Sequence, residues 1–206
     1  SYSAAISACE KGKQWERALL LLADLRRSEL MPDVVSFNSA ISACESGLQW
    51  EFGLQLLDDL RRCKFSPTAI SYNAAISACG KCAQWEFALL VFANLRRGVM
   101  EPSIISYSAA MSACEKGAQW EVALRCLGDL RHSDLQPDVI FYNAAISACE
   151  QVSQWKRALL LFADLQRSNL KPDFISYSAA ISACETGARR EFALRVLSDL
   201  GQHAFE

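Results

Sequence analysis

The chain has 206 residues, 51% of them hydrophobic, and a net charge of −2 from 21 basic and 23 acidic side chains. No apolar run approaches the ~18 residues of a membrane-spanning helix, so no membrane partner is expected. With charge nearly balanced and a pI near 5.8, nothing pulls the chain as a whole toward nucleic acid.

The first ten residues, SYSAAISACE, return as SFNSAISACE at Ser36 and SYNAAISACG at Ser71, then as variants at Ser106, Phe141 and Ser176, always 35 residues apart. All five prolines (Pro32, Pro67, Pro102, Pro137, Pro172) share one position of this unit, and all five tryptophans (Trp15, Trp50, Trp85, Trp120, Trp155) share another. So do six of the nine cysteines: Cys9, Cys44, Cys79, Cys114, Cys149 and Cys184. A fixed period of roughly 20–50 residues marks a stacked repeat protein. Such a chain offers a long shared surface rather than one pocket.

Within the first unit, Tyr2, Ala5, Ile6 and Cys9 follow i, i+3, i+4, i+7 spacing and predict one helix with an apolar stripe. Ser3, Ser7 and Glu10 fall on the other face, with Lys11 beside them, and Ala4 and Ala8 are small enough to admit a close neighbour. Gly12 is expected to end the helix through a glycine C-cap, as Gly47, Gly117 and Gly187 would in theirs. A second helix is predicted from near Trp15 to about Arg27, with Trp15, Ala18, Leu19, Leu22 and Leu25 inward and Glu16, Arg17, Asp24 and Arg26 wet. Arg26–Arg27, Arg61–Arg62 and Arg96–Arg97 fall in last turns, where cations offset the helix dipole, and read as end charges rather than a binding patch. Ser28 to Asp33 carries the proline and turns the chain into the next unit.

The expectation is therefore an all-α fold, a right-handed α-solenoid of about six antiparallel helix pairs forming a single array over residues 1–206. Its repeats run 1–33, 34–68, 69–103, 104–138, 139–173 and 174–206, the first and last truncated. The chain starts inside one repeat and stops just short of the next proline, so an internal segment of a longer array is expected. In the last repeat Arg189 and Arg190 replace the Gln-Trp pair.

The periodic cysteines read as core. Equivalent residues on neighbouring helices ~8–10 Å apart exceed the ~7 Å between Cα atoms that a disulfide tolerates, and buried free thiols suit a reducing compartment. Cys79 and Cys82 form an isolated Cys-x-x-Cys with no second ligand pair, so coincidence outweighs a metal or redox site. His132 and His203 are the only histidines and do not repeat. With no glycine-rich phosphate loop or acidic cluster, the segment is read as neither an enzyme nor a cofactor binder.

The 35-residue period, the Tyr-Asn or Tyr-Ser pair opening the first helix, the Ala-Leu pair of the second, and the Pro-Asp endings Pro32-Asp33, Pro137-Asp138 and Pro172-Asp173 together resemble the pentatricopeptide repeat family over the whole chain. Tetratricopeptide repeats, the nearest rival, have a 34-residue period and a different tryptophan placement. The departures are tryptophan where the family usually has an aliphatic residue, and a glutamate such as Glu10 on the first helix.

The resemblance implies single-stranded RNA binding at one base per repeat, in a chloroplast or mitochondrion, with first helices lining the concave side. It implies reading pairs Ser3 with Asp33, Asn38 with Thr68, Asn73 with Ser103, Ser108 with Asp138, and Asn143 with Asp173, while Ser178 has no partner before the chain ends. It further implies that Val35, Ile70, Ile105, Ile140 and Ile175 wedge between bases, although a core role is equally open for them. Lys11, Lys81 and Lys116 would approach phosphates.

The pair chemistry supports such a role. An ionised Asp only accepts hydrogen bonds and suits the imino N–H of guanine or uracil. Ser leaves room for a purine and the longer Asn fits a pyrimidine, while Thr68 or Ser103 can donate to cytosine. The expected target is 5′-G-(C or U)-C-G-U-purine-3′. Capping explains each of these residues singly, but not why two columns vary within one small alphabet. Against RNA, Glu10, Glu45, Glu115, Glu150 and Glu185 outnumber the three lysines. A protein-interaction scaffold is therefore the alternative.

Overall fold

The computed structural model describes residues 2–203 apart from 29, 99, 134, 169 and 189. Its described residues form twelve helices and no strand, none of them long and apolar enough to cross a membrane. The chain divides into two compact units, Ser1–Ala113 and Cys114–Glu206. Of the paired arginines in the last repeat, Arg189 lies outside the described residues and Arg190 opens its helix.

The first unit holds α1 (Tyr2–Lys11), α2 (Trp15–Arg27), α3 (Val34–Ser46), α4 (Trp50–Arg62), α5 (Ala69–Lys81), α6 (Trp85–Arg97) and α7 (Ile104–Lys116) as far as Ala113. The predicted helix pairs match these bounds. Helices α1, α3 and α5 lie side by side, and α3 and α5 also touch the second helix of their own repeat and of the preceding one. Short links leave each pair antiparallel. Along α3, Phe37, Ala40, Ile41 and Cys44 repeat the stripe seen in the first unit and are fully buried. Ala43 and Ala78, equivalents of Ala8, are buried too: small side chains let the first helices approach closely.

The second unit begins at Cys114 and holds α8 (Trp120–His132), α9 (Val139–Gln151), α10 (Trp155–Arg167), α11 (Phe174–Thr186) and α12 (Arg190–His203). The same scheme recurs, α9 against α11 and each against its own second helix. Tyr142, Ala145, Ile146 and Cys149 form the buried stripe of α9.

The periodic cysteines are free, and five of the six are buried, Cys9 on α1 being half-buried. Desolvation pushes the thiols of Cys44 and Cys149 up to about 11 and that of Cys79 to about 12, which leaves them inert at neutral pH.

The link between paired helices corrects one expectation. Gly12 and Gly47 do not adopt the left-handed conformation; the next residue does, with φ of 53° at Lys13, 57° at Leu48, 58° at Ala83, 52° at Ala118, 57° at Ser153 and 53° at Ala188. In each described copy from the first to the fifth repeat a glutamine N–H returns to the cysteine carbonyl five residues back, for instance Gln14 to Cys9 at 2.8 Å and Gln84 to Cys79 at 2.9 Å. This is a Schellman closure whose left-handed residue is not glycine.

The glycine serves a different need. A Cβ on Gly47 would lie 2.2 Å from Trp15 Cδ1, and one on Gly187 would lie 2.5 Å from Trp155 Cγ. Each glycine thus makes room for the indole of the preceding repeat. The Trp15 indole then faces Phe52 of the following second helix at 6.0 Å and the Trp155 indole faces Phe192 at 6.4 Å; Trp50 faces Phe87 at 5.0 Å although the repeat after it has Cys82 in the glycine position. Trp120 instead carries the Arg157 guanidinium 3.9 Å from its centroid, a cation–π contact.

A stability prediction follows from the left-handed residue. Left-handed geometry costs a non-glycine residue ~1–2 kcal/mol, while glycine loses ~0.5–1 kcal/mol in added chain entropy. Ala83→Gly should therefore raise the unfolding free energy by about 0.5–1 kcal/mol in urea titration.

The arginines of the last turns also do more than offset a dipole. Arg26 bonds Asp59 of the next repeat at 2.9 Å and lies over the Phe37 ring. Arg61 donates to Tyr72 Oη at 2.9 Å, and Arg131 donates to Tyr142 Oη at 2.9 Å and to Asp164. The second arginine of the pair stays local, Arg27 with Asp24 and Arg62 with Asp58.

Candidate functional site

Every residue that follows a repeat proline begins a helix. Asp33 accepts the Ser36 N–H at 2.8 Å, Asp173 the Ser176 N–H at 2.8 Å, and Asp138 the Phe141 N–H at 3.2 Å, each through Oδ1. Thr68 Oγ1 and Ser103 Oγ accept the N–H groups of Ser71 and Ser106, both at 3.4 Å. In return Ser71 and Ser106 Oγ accept from the Thr68 and Ser103 N–H at 2.9 and 3.1 Å. These are N-caps, and those at Thr68, Ser103 and Asp173, where Ser176 Oγ accepts the Asp173 N–H at 3.1 Å, are completed as capping boxes by serine in place of glutamate.

The capping role does not exhaust the side chains. A carboxylate has about four lone-pair sites on two oxygens. At Asp173 the bonds from Ser176 and Asn143 fall on Oδ1, which leaves Oδ2 outside those three bonds. Asp33 Oδ1 likewise takes both groups of Ser36, and Oδ2 meets only the Ser3 hydroxyl at 3.5 Å.

Three expected pairs come together across neighbouring first helices. Ser3 Oγ lies 3.5 Å from Asp33, Asn38 Nδ2 donates to Thr68 Oγ1 at 3.1 Å, and Asn143 Nδ2 donates to Asp173 Oδ1 at 3.0 Å. In the third repeat, Asn73 keeps a buried Oδ1 without a hydrogen-bond partner. Ser108 is exposed on α7, Asp138 caps α9, and Ser178 is exposed on α11.

Both linked aspartates ionise readily. The Ser36 hydroxyl and N–H hold the Asp33 carboxyl below its ordinary 3.8. At Asp173 partial burial pushes upward, but the Ser176 N–H, the Asn143 amide and the Ser176 hydroxyl outweigh it, and the carboxyl is lowered. A lowered folded pKa contributes stability above the unfolded value of 3.8 and loses it as pH falls through the folded one. Urea unfolding at about pH 6 and about pH 3 should therefore show a smaller acid loss for Asp33→Asn than for the parent chain.

Val35, Ile70, Ile105, Ile140 and Ile175 are between 57% and 66% exposed. They are not core residues; each is the second residue of its helix, two positions after the capping residue. The lysines differ among themselves. Lys11 is exposed, whereas Lys81 is held by Glu45 at 2.8 Å, and Lys116 lies exposed at the end of α7. The glutamates have structural partners too: Glu45 accepts from Ser77 and Glu150 from Ser182, both at 2.7 Å and both across a repeat boundary. Among the described residues no group of three or more His, Cys, Asp or Glu could hold a metal ion.

A third residue was missed in reading the sequence. Ser36, Ser71 and Ser176 are wholly buried beneath their pairs and bond to both members. The signal was present as a serine recurring every 35 residues, broken only by Phe141, but it looked like part of an invariant helix opening.

Profiles described as the PPR repeat match residues 1–30, those of the pentatricopeptide repeat domain match 20–82 and 55–116, and those of the PPR repeat family match 137–185. The chain belongs to the pentatricopeptide repeat family. Comparison with curated proteins returns no match. Among solved structures, that of the pentatricopeptide repeat protein PPR10 from maize is similar at a TM-score of 0.75 and 24% identity over 98% of this chain and 29% of its own. PPR10 in complex with an 18-nt psaJ RNA element gives 0.65 at 24% identity over 98% and 28%. The Arabidopsis thaliana nuclear protein-only RNase P 2 gives 0.77 at 14% identity over 88% and 41%. At these identities the likeness establishes the fold, an all-α solenoid of helix pairs, and this chain spans under a third of PPR10.

Proposed function

We propose that these pentatricopeptide repeats bind single-stranded RNA in a sequence-selective manner, one base per repeat, and act by holding a transcript rather than by chemistry. The observation that carries this is the pairing of Ser3 with Asp33, Asn38 with Thr68 and Asn143 with Asp173 at 3.0–3.5 Å, each beside an exposed aliphatic side chain. Family membership supports RNA as the ligand, and the maize PPR10 structure holds an RNA element in the same fold. All six repeats are read as one array with the target 5′-G-(C or U)-C-G-U-purine-3′. A role in organellar RNA processing, stability or translation, in a chloroplast or mitochondrion, belongs to the same proposal.

The polar edges support the assignments. Asp173 Oδ2 is the acceptor offered to an imino N–H; Asn143 beside it is only 7% exposed and bonds Asp173 and Ser176, and its greater length than Ser3 is what favours a pyrimidine over a purine. Asp33 with the short Ser3 favours guanine. The exposed column from Val35 to Ile175 supplies apolar contact to base faces.

Gel shift with the predicted RNA and a permuted control tests the proposal. The predicted strand should bind about tenfold or more tightly, as one well-made hydrogen bond per base allows. Equal binding would remove the selectivity, and no binding of either RNA would leave the protein scaffold as the function. Because Lys81 is engaged by Glu45, few phosphates are neutralised. The slope of log affinity against log salt should be shallower than about −2.

A further inference from the structure

The reading pairs rest on a buried hydroxyl. Ser36, Ser71 and Ser176 are each 0% exposed and each is the third residue of its helix. Ser71 Oγ donates to Asn38 Oδ1 at 2.5 Å and accepts the Thr68 N–H at 2.9 Å. Ser176 Oγ donates to Asn143 Oδ1 at 2.6 Å and accepts the Asp173 N–H at 3.1 Å, with Asp173 Oδ1 a second acceptor at 2.9 Å. Ser36 Oγ lies 3.1 Å from Ser3 Oγ and 2.6 Å from Asp33 Oδ1.

A serine hydroxyl has one proton, and an asparagine amide has nearly equal shape but opposite polarity at its two ends. The one Ser176 proton has two acceptors in reach, Asn143 Oδ1 at 2.6 Å and Asp173 Oδ1 at 2.9 Å; on the shorter contact it goes to the amide oxygen, and Nδ2 then takes the other side. There it donates to Asp173 Oδ1 at 3.0 Å in one case and to Thr68 Oγ1 at 3.1 Å in the other. Reversing Asn143 would set its carbonyl oxygen against the Asp173 carboxylate. Reversing Asn38 would set its carbonyl oxygen against Thr68 Oγ1, whose own proton already has Ser71 Oγ as an acceptor at 3.1 Å. With Asn38 as found, Thr68 Oγ1 accepts from Asn38 and from the Ser71 N–H, which fills both lone pairs.

We propose that this buried serine is a positioning residue: it fixes which end of the asparagine amide faces a base and so sets the donor–acceptor polarity of the whole pair. The inference rests on the RNA reading above and adds to it a third specificity determinant that touches no base. The third repeat lacks this relay. Ser106 Oγ bonds the Ser103 N–H and hydroxyl at 3.1 and 3.2 Å, and Asn73 Oδ1 is left without a partner. The base facing Asn73 is therefore read less strictly than the base facing Asn143.

The test uses the full chain with Ser176→Ala and Ser176→Thr, and RNA strands that differ only at the fifth base. The parent and the threonine variant should prefer uracil equally. The alanine variant should lose about tenfold of that preference, the worth of one buried hydrogen bond, with the first-base preference unchanged. Retention of the parent preference by Ser176→Ala would overturn the positioning role while leaving RNA reading intact. If the parent shows no fifth-base preference, the RNA reading fails, and the relay is decided without RNA by NMR of the Asn143 side-chain amide. One sharp, slowly exchanging pair of amide protons in parent and threonine variant, doubled or rapidly exchanging in alanine, supports it; an unchanged pair in alanine refutes it.

Discussion

Asn143→Ser is expected to move the preferred fifth base from uracil to guanine. The first repeat shows what the variant would build, since Ser3 already faces Asp33 across the same 30-residue step and bonds Ser36 at 3.1 Å. Removing the longer amide frees Asp173 Oδ1 from one donor and opens the depth a purine needs. The carboxylate remains an acceptor, so an imino N–H is still required, which keeps cytosine and adenine disfavoured. Discrimination between uracil and guanine should invert by about tenfold in each direction, in line with one neutral hydrogen bond gained and one lost. Competition binding with strands varied at the fifth base measures it. An unchanged preference would show that the two columns do not read bases.

Gly47→Ala should destabilise the chain by about 1–3 kcal/mol, the range for forcing atoms into filled space. Local considerations alone give the opposite sign. Gly47 has φ of −87°, an ordinary backbone for alanine, and replacing glycine there would normally stabilise by ~0.4–1 kcal/mol through the unfolded chain. The indole reverses the outcome, because a new Cβ would meet Trp15 Cδ1 at 2.2 Å and Cγ at 2.5 Å. Trp15 would have to leave Phe52, its ring partner at 6.0 Å. Urea unfolding of Gly47→Ala, Trp15→Leu and the double variant checks the cause: most of the alanine penalty should vanish once the indole is gone.

Most of the fold was legible because each element carries its own period. The stripe Phe37, Ala40, Ile41, Cys44 specifies a helix and its buried side without reference to anything distant, and Pro32-Asp33 marks where that helix starts. The glycine was misjudged for a physical reason. Local rules assign Gly to a left-handed cap, but the constraint at Gly47 comes from a tryptophan 32 residues earlier, and a single-sequence pattern does not reveal which side chain will lie there. The last-turn arginines lie where the sequence places them, but the contacts of Arg26 and Arg61 were not legible, since Asp59 and Tyr72 belong to the following repeat. At the candidate site the two columns proposed to read bases stand out in the sequence by their restricted alphabet. The serine beneath them does not, because a buried hydroxyl and a surface hydroxyl look alike in sequence until the neighbouring helix is placed.

The dual use of the residue after each proline limits how such a protein can change its target. Asp33, Thr68, Ser103, Asp138 and Asp173 all begin helices with the same side chain that is proposed to meet a base. Side chains unable to accept a backbone N–H at that point, lysine and arginine among them, are barred however well they might suit a base. Drift in specificity is thereby confined to a short vocabulary of small oxygen-bearing groups. New preferences must come from recombining those few letters with the neighbouring column, and diversity from adding repeats.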